Sequence, residues 1–136
     1  DLDVTEQDII IASQTISQDD LTAPRVSAVT AVSGNYQVDH QVTLKVSFNE
    51  VVVVNANGGV PELLLSANGE SLPFKASYVA GSGTKTLSFR FTVPADTAIA
   101  DLEVGNISLN GGVISDFAGN NASLLVPALP STVTLS

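Results

Sequence analysis

The chain has no cysteine, no methionine and no tryptophan, and only 5 basic residues against 14 acidic ones in 136. Each scarcity removes a class of explanation. Without cysteine there is neither a disulfide framework nor a thiolate to act as nucleophile or zinc ligand. A formal net charge of −9 argues against a nucleic-acid backbone as partner, because phosphate affinity rests on clustered Lys and Arg. The densest apolar runs, Val51 to Val54 and Leu63 to Leu65, are strand-sized and fall far short of the roughly 20 residues of a membrane-spanning helix. Membrane insertion through a helix is therefore not expected. No signal-peptide pattern occurs, and the lack of even an initiator Met fits a mature protein or a segment of a longer one.

What is present points to β structure. Hydrophobic residues make up 44% of the chain but aromatics only 5%, so the core must come from Val, Leu, Ile and Ala, a composition suited to many short strands. The length fits one domain with a real core. Residues 1–22 hold Asp1, Asp3, Glu6, Asp8, Asp19 and Asp20 with no base among them. They read as an acidic linker, the tail of a preceding unit, or an extra strand laid on the edge of the domain.

After Ala23-Pro24 the pattern changes, and residues 23–136 read as a β domain. Strands are expected over Arg25 to Val32, His40 to Asn49, Pro61 to Ser66, Leu72 to Ala80, Thr84 to Val93 and Leu102 to Leu109, with a last strand or pair across Ala122 to Leu135. Ser33-Gly34-Asn35, Asn68-Gly69 and Gly81-Ser82-Gly83 mark turns, the second being a two-residue hairpin signal. No segment has a sustained helical period. The expectation is an all-β chain folded as an antiparallel, Greek-key, Ig-like β-sandwich of about seven strands.

One residue breaks the strand pattern. From Val42 the apolar side is Val42, Leu44, Val46 and Phe48, and the next position of that parity is Glu50. A carboxylate on the core side must leave the strand or meet a compensating charge. Strand termination at Glu50, with the carboxylate used as a cation ligand, would meet both demands.

The segments Thr22-Ala23-Pro24, Phe48-Asn49-Glu50, Gly81-Ser82-Gly83-Thr84, Thr86-Leu87-Ser88-Phe89, Asp101-Leu102 and Asp116-Phe117-Ala118-Gly119-Asn120 occur in this order. Together they resemble the bacterial Ig-like, cadherin-like repeats of large secreted surface proteins and adhesins, over roughly residues 20 to 130. The resemblance implies a stalk module, tandem with neighbouring repeats of the same chain, outside the cell or on its surface, and often stiffened by calcium between units.

With the strands placed in Ig order, Glu50 faces the linker carrying Asp19 and Asp20, and the loop Asn110 to Asn121 returns to the same pole with Asp116 and Asn120. Asp20, Glu50, Asp116 and Asn120 then form a candidate calcium site, since a hard cation takes six to eight oxygen ligands. The same residues also fit a plain turn opened by Asp116. Asp96, Asp101 and Glu103 form a second candidate group near the opposite pole.

Enzymatic chemistry is not expected. His40 is the only histidine, no G-x-S-x-G elbow accompanies it, and no carboxylate dyad stands out. An isopeptide crosslink needs a buried lysine, whereas Lys45, Lys75 and Lys85 have outward positions. The Gly-rich loops at Asn57, Asn68 and Asn110 lack the Lys and Ser/Thr of a phosphate cradle and read as turns. The leading expectation is a spacer repeat of an adhesin. The alternative is a module binding a surface glycan or protein, for which Tyr36 and Phe117 are the loop aromatics.

Overall fold

A computed structural model describes residues 22–136. The described chain is all-β, with an antiparallel sheet curled as a half-barrel. Among the described residues ten strands occur: β1 (Val26–Thr30), β2 (Gly34–Tyr36), β3 (Gln41–Asn55), β4 (Glu62–Ala67), β5 (Glu70–Ser71), β6 (Ala76–Ala80), β7 (Thr84–Thr92), β8 (Glu103–Ser108), β9 (Val113–Ser115) and β10 (Val133–Leu135). The main sheet runs β1-β3-β7-β6-β4-β5, with β8 pairing β4 and β9 pairing β3.

The alternation read in β3 holds: Val42, Leu44 and Val46 are fully buried and Phe48 is nearly so. They meet Leu87 and Phe89 of β7 across the ladder, where Leu44 pairs Phe89 and Val46 pairs Leu87. Two rings extend this layer: Tyr78 sits edge-on to Phe89 at 6.2 Å, and Phe74 lies 5.4 Å from Phe91. Such pairs add to the area buried by the rings themselves.

β3 does not stop at Glu50. Its pairing with β7 is irregular between Ser47 and Val52, and it then continues to Asn55 with a second partner, β9, in the register Val53 to Ser115 and Asn55 to Val113. Four consecutive valines have the χ1 stiffness that favours extended chain, and β9 supplies hydrogen bonds that β7 no longer gives. The inward parity also persists through the half-buried Glu50 to the fully buried Val52.

Other boundaries shift for local reasons. The Asn68-Gly69 turn has φ of 52° and 79°, the double left-handed conformation of a tight hairpin, and it returns as the two-residue β5. Pro73 follows, so the expected strand over Leu72 to Ala80 begins only at Ala76, consistent with proline's missing donor. Pro127 and Pro130 likewise fall in the stretch between Ala122 and Val133, of which only β10 is a strand. That strand pairs in parallel with β2, where a turn was expected, and Val133 and Leu135 are buried.

Two glycine loops lock β9 in place. Backbone atoms of Gly58 and Gly59 pack directly on Asn110, Gly111 and Gly112, so closely that a Cβ on Gly58, Gly59, Gly111 or Gly112 would strike the opposing backbone. Only glycine allows this approach, and β9 begins immediately after it.

Candidate functional site

β3 brings Glu50 to the inner side of the sheet, and β9 delivers Asp116 one residue after its paired Ser115. The chain then folds back in a tight turn. Asn120 O accepts from Asp116 N at 3.0 Å, Asp116 O accepts from Gly119 N at 3.2 Å, and Gly119 takes the left-handed φ of 94°. Both carboxylate oxygens of Asp116 are engaged: Oδ1 accepts from the Asn120 backbone N–H and Oδ2 from Asn120 Nδ2, each at 2.9 Å. The turn reading and the clustering of these residues are thus both present in one structure.

Asp116 is 6% exposed and is the buried charged residue among those described. Its carboxyl is held below the ordinary aspartate range, chiefly by the Asn120 side chain, with burial acting in the opposite direction. The backbone N–H groups of Asn120 and Ala118 and a side-chain hydrogen bond with Glu50 lower it further. These donors stabilise the anion more than desolvation penalises it. The Glu50 carboxyl thus lies within reach of the Asp116 carboxylate.

The chain enters the domain beside this pair. Ser123 N donates to Pro24 O at 2.9 Å, Arg25 N donates to Asn49 Oδ1 at 2.8 Å, and Asn49 N donates to Arg25 O at 2.9 Å. Asn49, which the alternation only placed outward, therefore clamps the incoming backbone next to Glu50. Its signal in the sequence is slight, an amide at one strand position directly before Glu50. Glu50, Asp116 and Asn120 lie together; Asp20, like Asp19 and the rest of the leader up to residue 21, lies outside the described residues.

The second candidate group is arranged differently. The register Thr43–Arg90–Ser77–Glu62–Ser108 runs across the sheet, and Glu103, paired with Ser66, lies beyond it toward the Gln41 end of β3. Asp101 and Glu103 line one cleft of about 340 Å³ with Ser66 and Leu129. Glu103 Oε1 already accepts from Gly69 N at 3.0 Å and from Ser66 Oγ at 3.5 Å. Asp96, at φ 63°, lines a separate hollow with Leu72 and Phe74. Among the described residues no three His, Cys, Asp or Glu side chains are placed to share one ion.

The remaining sequence candidates are peripheral. Lys45, Lys75 and Lys85 are exposed. His40 is exposed and its Nδ1 accepts from Gln37 N at 3.4 Å within a turn. Tyr36 is half-buried with its hydroxyl donating to Val32 O at 2.7 Å, whereas Phe117 stands 77% exposed at the tip of the Asp116 turn. Compared with known proteins, the chain matches no family model, no curated protein and no solved structure.

Proposed function

We propose that this chain is a non-enzymatic spacer module of a bacterial secreted or cell-surface protein, an Ig-like, cadherin-like sandwich set in tandem with neighbouring repeats. In this reading calcium at the pole where the chain enters fixes the angle between successive units. One observation carries it: Glu50 and the ionised Asp116 face each other beside Asn120, at the place where the preceding chain joins the domain. Facing carboxylates need either a proton or a cation between them. The donor set is all hard oxygen, which suits calcium and not zinc.

Glu50, Asp116 and the Asn120 amide oxygen supply part of a calcium shell, and Asp20 from the linker supplies a further carboxylate. A ligand set divided between linker and domain turns a flexible joint into a stiff one. The ordered run of six short motifs and the high strand content support the same assignment. Glu50→Ala is then expected to loosen the joint more than it unfolds the domain. Small-angle scattering on two copies of the 136-residue chain joined in tandem reads this: calcium should lengthen the particle, and identical dimensions with calcium and with chelator would refute the reading.

A second reading rests on Phe117. A ring exposed at a loop tip is the usual platform for a sugar face, and Tyr36 is already committed to its own turn. A glycan array separates the two readings, since a spacer gives no selective signal there.

A further inference from the structure

Three Asn-Gly pairs, Asn57-Gly58, Asn68-Gly69 and Asn110-Gly111, are alike in sequence but are held differently by the fold. We propose that Asn57 is a site of spontaneous deamidation, and that its isoaspartyl product opens the glycine clasp that seats β9. In this reaction the Gly58 backbone nitrogen attacks Cγ of Asn57. A new N–Cγ bond forms, the Cγ–Nδ2 bond breaks, and ammonia leaves with the proton lost from the Gly58 N–H. Water then opens the cyclic imide at either carbonyl, giving Asp or isoaspartate with no redox change.

The reaction needs an accessible amide, an unhindered nitrogen and an N–H that nothing holds. Asn57 and Gly58 are both exposed, and glycine offers no Cβ to crowd the attack. Among the described residues none accepts from the Gly58 N–H or hydrogen-bonds the Asn57 side chain; the Asn57 backbone N–H donates to Asn55 Oδ1 at 3.0 Å. At the hairpin the situation is reversed. Gly69 N–H donates to Glu103 Oε1 at 3.0 Å, and that carboxylate opposes negative charge developing on the nitrogen. Asn110 stands between the two, its Nδ2 donating to Val60 O at 3.4 Å.

The damage expected from this product comes from the packing. Gly58 lies against the Gly111 backbone with no room for a Cβ, and an isoaspartyl link adds a methylene to the main chain immediately before it and leaves a carboxylate as a side branch. β9 runs from Val113 to Ser115 and leads directly into Asp116, so opening the clasp loosens the turn that holds Asp116.

Ageing the full chain in warm, mildly alkaline buffer tests this, followed by tandem mass spectrometry of the tryptic peptide 46–75, which bears both Asn57 and Asn68. The amide-to-acid mass gain is expected at Asn57 at least about tenfold faster than at Asn68, the size of one hydrogen bond to a charged acceptor. Glu103→Ala should narrow that gap severalfold, which a difference in exposure alone would not do. Aged wild-type protein should melt below aged Asn57→Gln. Equal rates at the two sites, or Asn68 reacting first, would overturn the site; modification of Asn57 with an unchanged melt would overturn the clasp's role.

Discussion

At the end where the chain enters, the ionised Asp116 faces Glu50 and receives both donors of Asn120, while at the far end Glu103 gives its carboxylate to the Gly69 N–H and the Ser66 hydroxyl. Both ends hold acids on β strands, yet among the described residues the near end brings a second carboxyl onto a buried one. The far end shows what an acid does when its neighbours are donors: it closes a hairpin and needs nothing more. At the near end the donors saturate Asp116 and still leave a second carboxyl against it. The proposed cation would resolve that pairing, and burial at 6% exposure makes the demand stronger than at a solvated surface.

Core truncations at the two ends give the largest expected effects. Ile114 anchors β9 at 1% exposure and Leu102 anchors the far end at 1%, so each change to Ala should cost about 2–5 kcal/mol in urea unfolding. Ile114→Ala should also weaken any calcium-dependent rise in melting temperature, and Leu102→Ala should keep it. The reverse outcome would show that β9 does not position Asp116.

Acid titration comes next. Because the folded carboxyl of Asp116 is depressed, its contribution is present above the unfolded aspartate value of about 4 and is lost as pH falls through the lower folded value. Asn120→Ala removes the largest cause of that depression. The stability gap between wild type and variant should therefore be full at neutral pH and shrink below about pH 4; a gap independent of pH would mean that Asn120 acts only as a turn residue.

Smaller effects separate the ends further. Glu103→Ala should lower stability by about 1 kcal/mol through the freed Gly69 N–H, with the calcium response unchanged. A lost response would place a cation at the far end instead. Phe117→Ser, at a ring 77% exposed, should shift stability by no more than about 0.5 kcal/mol. A larger cost would show the ring packed against something in the full chain.

Much of this was legible in the sequence, and the failures have physical causes. Period-two alternation located β3 and β7 because their inner faces are uniformly apolar, and Asn68-Gly69 located its hairpin because few residues take two successive left-handed conformations. Glu50 stood out from its local pattern, and Asp116 and Asn120 were grouped with it by placing the strands in Ig order. β9 escaped notice because three residues carry almost no periodic signal and their strand is defined by the partner Val53–Asn55. The parallel pairing of β2 with β10 was hidden because it joins segments about a hundred residues apart. The glycine clasp left no trace beyond two Asn-Gly-Gly triplets, since backbone packing has no side-chain signature. The separation of Asp96 from Asp101 and Glu103 depends on loop paths that spacing does not encode.

Isothermal calorimetry of calcium into the chelator-treated full chain, beside Asp116→Asn, tests the central claim most directly. Saturable, stoichiometric binding is expected for the wild type and its loss in the variant. No binding by the wild type, or identical binding by the two proteins, would contradict it.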